Sequence, residues 1–165
     1  MIKYTITFAD TFASLPLGEL TQAFRITEPL YNRSVKDIRI EHIENYLKVC
    51  LYDLNPRKIF VNIGEVDILD ENMDVENFIS KYEWLLYMIH TKTEASIYVV
   101  SVMSNSPLAL ICSYLSNRTY CSCIGVSVDY IILLKIRGID SPLALKLNQR
   151  LEKLAAQTGC KYIDT

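Results

Sequence analysis

Histidine, glycine and proline are scarce in this chain, and neither sign of charge dominates. Two histidines in 165 residues leave little room for a His-based metal site. Five glycines and five prolines exclude a collagen-like or linker composition. Lys+Arg 17 against Asp+Glu 19 gives a formal net charge of −2, and with no Lys/Arg cluster nothing marks a surface that tracks nucleic-acid phosphates. Long apolar runs are missing as well. Stretches such as Tyr130-Ile-Ile-Leu-Leu134 stop far short of the ~20 residues a membrane-crossing helix needs. The N-terminus, Met1-Ile-Lys-Tyr-Thr-Ile-Thr-Phe8, enters strand-like alternation with no basic region and cleavage site of a secretory leader, so the expected compartment is the cytoplasm. The cysteines (Cys50, Cys112, Cys121, Cys123 and Cys160) are odd in number, which fits reduced thiols. Cys121-Ser-Cys123 has no second Cys/His pair at a ligand spacing, so no metal or other cofactor is expected.

What the chain does have is apolar material. Half of its residues are hydrophobic and the mean hydropathy is +0.15, enough for the core of one domain spanning 1–165. Tyr4–Phe8 alternates as a strand, and a short second strand is expected near Pro29-Leu30-Tyr31. From Ile38, the residues Ile43, Tyr46, Leu47, Cys50, Leu51 and Leu54 fall at helical spacing, and Asn55-Pro56 stops that helix. Lys58–Ile63 and Ser96–Val102 read as buried parallel strands. Asp74 can cap a helix carrying Val75, Phe78, Ile79, Tyr82, Leu85, Leu86 and Ile89 on one face. Ser141-Pro142 can open another helix, closed by Gly159 ahead of a last short strand, Cys160–Asp164. Strands alternating with helices call for right-handed crossovers. The expected fold is therefore a three-layer α/β/α domain with a five-stranded parallel sheet in the order 2-1-3-4-5. The elaborated segment at 108–138 is longer than a simple crossover needs, and its apolar content suggests either an extra packed element or a partner surface, through which the chain could self-associate, with Tyr114 and Tyr120 in it.

In open parallel sheets, ligands gather outside the carboxyl ends of the strands. The polar residues at those ends are Asp10-Thr11, Asn32–Asp37, Gly64–Asp67, Ser101–Ser106 and Asp164. Taken in order, they resemble the blocks of the SGNH/GDSL hydrolases, flavodoxin-like esterases and acylhydrolases. Phe8-Ala9-Asp10-Thr11 stands where the family has a strand followed by Gly-Asp-Ser. Asn32-Arg-Ser-Val-Lys-Asp37 stands where it often has Asn-x-x-x-x-Gly. Ile63-Gly64-Glu65-Val66-Asp67 is similar to a strand followed by Gly-x-Asn-Asp. Ile97–Val102, Asn148 and Gly159-Cys-Lys-Tyr-Ile-Asp164 resemble the later blocks.

The resemblance implies roles and also exposes departures. Thr11 takes the nucleophile position, where its β-methyl restricts χ1 and crowds an incoming acyl carbon. Asp37 and Val66 take the positions of two oxyanion-hole donors, a glycine N–H and an asparagine amide. Asp164 takes the triad-acid position, and the family's histidine would fall three residues further on, beyond Thr165. Asp10, Gly64 and Asp67 are expected to shape the site rather than react. His42 and His90 are expected on helix surfaces, away from the crevice. Two functions follow. One is a domain that has lost catalysis and binds a protein partner or a small acyl or carbohydrate ligand. The other is an active esterase or O-acyl hydrolase using Thr11, with its histidine beyond residue 165. A nucleotide or flavin binder is disfavoured, because Ala9-Asp-Thr-Phe-Ala-Ser-Leu-Pro16 lacks the glycines that let a backbone wrap phosphate.

Overall fold

The computed structural model describes residues 4–10, 22, 25, 28–70, 72–102 and 142–164. Five parallel strands form one sheet: β1 (Thr5–Ala9), β2 (Leu30–Asn32), β3 (Lys58–Asn62), β4 (Ser96–Val100) and β5 (Lys161–Ile163). Their order is β2-β1-β3-β4-β5, as expected from the sequence. Register runs straight across: Thr7 pairs with Asn32 on one side and Phe60 on the other, Phe60 with Tyr98, and Tyr98 with Lys161. All five carboxyl ends therefore open on the same edge.

Three α-helices pack on the sheet: α1 (Glu44–Cys50), α2 (Val75–Lys92) and α3 (Pro142–Thr158). The crossovers β2→β3, β3→β4 and β4→β5 all step the same way across the sheet, so right-handed connections put these helices on one face. In keeping with that, α2 lies between α3 and the 3₁₀ turn Ile40–His42. The expected second helical layer involves residues outside those described. The core joins alternate strand residues Ile6, Phe8, Ile59, Val61, Ile97 and Val99 to helix residues such as Leu47, Leu85, Leu86, Leu147 and Leu151. On the other sheet face Phe60 stacks on Tyr98 at 4.7 Å, with the Lys161 ammonium 5.1 Å from the Tyr98 ring centre.

The helix expected from Ile38 to Leu54 is segmented. A 3₁₀ turn at Ile40–His42 leads into α1, and a second covers Tyr52–Leu54. Ile43 between the first two stays in right-handed helical space (φ −63°, ψ −32°), so only the hydrogen bonding changes there. Leu51 (φ −127°) breaks the second junction, and Asn55 turns left-handed (φ 44°) ahead of Pro56. Tightening into 3₁₀ turns at both ends is a common way to close a short helix. The apolar spacing was sound for Ile43, Leu47 and Leu51, which are buried, but Tyr46 is exposed.

Asp74 caps α2 as expected, its Oδ1 accepting from the N–H groups of Glu76 (3.0 Å) and Asn77 (3.2 Å). Asp74→Ala should cost about 1 kcal/mol of stability, the usual value of such a cap. A urea midpoint equal to that of the wild type would show that the cap contributes nothing. At the other end of the chain Gly159 (φ 72°) follows Thr158, where the left-handed residue that ends a helix belongs. Among the described residues, no helix is long and apolar enough to cross a membrane. Cys50 and Cys160 are half-buried free thiols, whereas Cys112, Cys121, Cys123 and the whole 108–138 segment lie outside the described residues.

Candidate functional site

The β1 and β3 carboxyl ends are locked together by Asp10. Its backbone N–H donates to the Asn62 carbonyl (3.2 Å), and one side-chain oxygen, Oδ2, accepts from Gly64 N–H (3.0 Å) and Val66 N–H (3.2 Å). The residue is fully buried. Burial first, and the neighbouring Glu65 charge second, push its carboxyl up to about 8, against the Val66 and Gly64 N–H groups that pull it down. Asp10 thus clasps the β3 exit to β1. Gly64 adopts φ +127°, a backbone region closed to ordinary side chains.

The segment after β2 runs across the same edge. Val35 N–H donates to Ala9 O (2.9 Å), Ser34 Oγ accepts from Ala9 N–H (3.1 Å), and Asp37 N–H donates to Asp10 O (3.3 Å). Asp37 is exposed and left-handed (φ 58°). This is the conformation a glycine takes freely, and aspartate is among the residues that tolerate it. Asp67 ties the β3 exit to the next turn by accepting from Ile40 N–H at 3.3–3.4 Å. Burial pushes the Asp67 carboxyl up to about 6, although the Ile40 N–H and Arg39 pull it down. Beside it lies a hollow of ≈ 200 Å³ with Arg39, Asp70, Asn72, Asn77 and Lys81 among its lining.

Asp164 is exposed and directly follows β5, so it shares the edge with Asp10, Asp37, Gly64, Val66 and Asp67. Three strand spacings of about 4.8 Å, roughly 14 Å, separate β5 from β1. Thr11 is the next residue after Asp10 in sequence and lies outside the described residues. His90 sits in the last turn of α2 with its Nε2 3.4 Å from Cys160 Sγ. Cys160 precedes β5, so this histidine is at the amino-end edge, away from the candidate site. His42 is exposed on the 3₁₀ turn.

Two features escaped the sequence. Glu65 is only 6% exposed, although a charged residue in a turn reads as solvated. Asn148 on α3 grips both polar groups of Val102, accepting from its N–H and donating to its carbonyl, each at 2.8 Å. The resemblance singled out Asn148, but no local pattern gave its partner. Among the described residues, no group of three or more His, Cys, Asp or Glu side chains could hold a metal ion.

No protein-family model matches the sequence, and no curated protein does. Solved structures do match. One is a Streptococcus pneumonia protein provisionally described as a platelet activating factor, 15% identical over 99% of this chain, with a TM-score of 0.67. Another is a GDSL-like lipase from Bacteroides thetaiotaomicron, 11% identical over 98% of the chain, TM-score 0.66. A third is AlinE4, an SGNH-hydrolase family esterase, 13% identical over 99%, TM-score 0.60. The fold is SGNH-hydrolase-like. The present chain spans 66%, 68% and 76% of those three proteins, respectively. Identities this low carry the flavodoxin-like architecture and nothing about which bonds are cleaved.

Proposed function

We propose that this SGNH-hydrolase-like domain has lost ester hydrolysis and acts as a binding module for a protein partner or a small acyl or carbohydrate ligand. The observation that carries this reading is the fate of two oxyanion-hole positions. Val66 has no side-chain donor, and its backbone N–H is committed to Asp10. The Asp37 N–H is directed to the Asp10 carbonyl. Loss of one such donor typically costs ~100- to 1,000-fold in turnover. Neither described histidine supports a base at this edge, because His90 is beside Cys160 and His42 is exposed on a turn. The shared edge of Asp10 and Asp164 is what favours the second reading, an esterase with Thr11 as nucleophile.

The two readings separate in one experiment. Hydrolysis of short acyl esters by the 165-residue chain should equal that of its Thr11→Ala variant, and an active-site-directed phosphonate should leave the intact mass unchanged. A mutant control is needed because a very activated ester can acylate a surface hydroxyl slowly. Stoichiometric labelling of Thr11, or hydrolysis that disappears in Thr11→Ala, would establish the esterase reading instead.

A further inference from the structure

We propose that Asp10 is held as a neutral, protonated carboxyl beside Glu65, and that loss of this proton unseats the Gly64–Asp67 turn as pH rises. The argument starts from hydrogen-bond supply. Asp10 is fully buried, its Oδ2 takes both available N–H groups, and its Oδ1 has no partner among the described residues. The carboxamide oxygen of Asn62, on the strand paired with β1, is likewise buried without a donor. Among the described residues this edge therefore offers these two oxygens no donor, and a proton on Asp10 Oδ1 adds the kind of group they lack. Glu65 lies between the two residues whose N–H groups bind Asp10 and is itself buried, and its charge opposes ionisation of Asp10.

Among the described residues, the other titratable groups felt by or feeling Asp10 are Asp67 after β3 and the Tyr82 phenol on α2, and neither supplies a positive charge. No Lys, Arg or His among the described residues forms an ion pair with Asp10. The raised ionisation of Asp10, to about 8, agrees with this geometry. The sign is then fixed. A carboxyl whose folded pKa exceeds its unfolded value stabilises the fold fully below the unfolded value, near 3.8. That contribution is lost as pH rises through about 8. The two N–H bonds themselves favour the carboxylate, so the loss comes from burial and from the Glu65 charge, and because Glu65 stands on the turn, the turn is the element that feels it. The inference concerns the clasp alone and holds whether or not the domain hydrolyses esters.

The test compares thermal denaturation of the wild type, Asp10→Asn and Glu65→Gln between pH 5.5 and 9.5, with carbon-13 titration of the aspartate carboxyls. The wild type should lose about 5 °C or more in Tm between pH 6 and 9. Asp10→Asn should abolish most of that fall, since an amide keeps one oxygen for both N–H groups and puts an NH₂ where the proton stood. Glu65→Gln should move the fall to lower pH, by removing a like charge. In the wild type the Asp10 carboxyl carbon, assigned from its absence in Asp10→Asn or by sequential assignment, should titrate several units above the exposed aspartates. An Asp10 carbon that titrates near 4, or an Asp10→Asn variant that keeps the wild-type pH dependence, would overturn the proposal. Should Asp10→Asn not fold, an unchanged midpoint in Glu65→Gln would refute the role of the neighbouring charge.

Discussion

Gly64→Ala should lower stability by about 2–6 kcal/mol, more than Gly159→Ala measured beside it. Two costs combine. At φ +127° an L side chain is strained whatever the space around it, a cost of order 1–3 kcal/mol. A Cβ there would also meet Phe78 Cζ and Val102 Cγ2 at 3.0 Å and Leu147 Cδ2 at 3.5 Å. Those three come from α2, the β4 exit and α3, so the methyl group pushes against three elements of one packed core. Overpacking of this kind typically costs ~1–3 kcal/mol. Gly159→Ala is the control, because its φ is also positive (+72°) but nothing lies within 4 Å of a Cβ. It should cost only about 1–2 kcal/mol, the backbone part alone. Urea denaturation with equal m-values would compare them. A Gly64→Ala variant no less stable than Gly159→Ala would show that the contacts at Gly64 relax freely.

The end of the apolar run at Gly64 was readable, and the backbone there takes a positive φ that favours glycine. Strands were readable because runs such as Lys58–Ile63 and Ser96–Val102 are apolar on both faces, and α2 because Asp74 precedes a regular stripe. The candidate site was readable only in outline. Parallel strands must deliver their carboxyl ends to one edge, so the order of the strands alone gathers Asp10, Asp37, Gly64, Asp67 and Asp164 there. What that order does not carry is who bonds to whom. Asp10 reaches residues 54 and 56 positions away. Glu65 is buried between the two residues whose N–H groups turn toward that carboxyl, a placement no local pattern encodes. The left-handed backbone at Asp37 is not encoded by its residue type, since aspartate merely tolerates that conformation. The segmentation of 40–54 depends on one dihedral break at Leu51, and apolar spacing is blind to it.

Asn148 offers a pH-dependent test of the same kind of long-range bond. Its side chain answers both polar groups of Val102, so Asn148→Ala strands an N–H and a carbonyl at the end of β4. With each buried unsatisfied group costing ~1–3 kcal/mol, and Asn148 itself only partly buried, a loss of about 2–4 kcal/mol is expected. Asn148→Asp separates the two bonds. At neutral pH the new carboxylate still accepts from Val102 N–H, but it cannot donate to the Val102 carbonyl and sets one oxygen against another. It should be destabilised by about 2 kcal/mol at pH 7.5. Protonation restores an O–H donor in nearly the geometry of the lost amide, so the folded state favours the neutral acid and raises its pKa above the unfolded ~3.9. The substituted protein should therefore recover toward wild-type stability as pH falls to about 4, and lose it again as pH rises through the raised value. Since Asp10 and Asp67 also titrate, the quantity to follow is the difference from the wild type at each pH, with Asn148→Ala as the pH-insensitive reference. A constant difference between Asn148→Asp and the wild type from pH 4 to 8 would mean that the Val102 carbonyl does not depend on Asn148 for its donor.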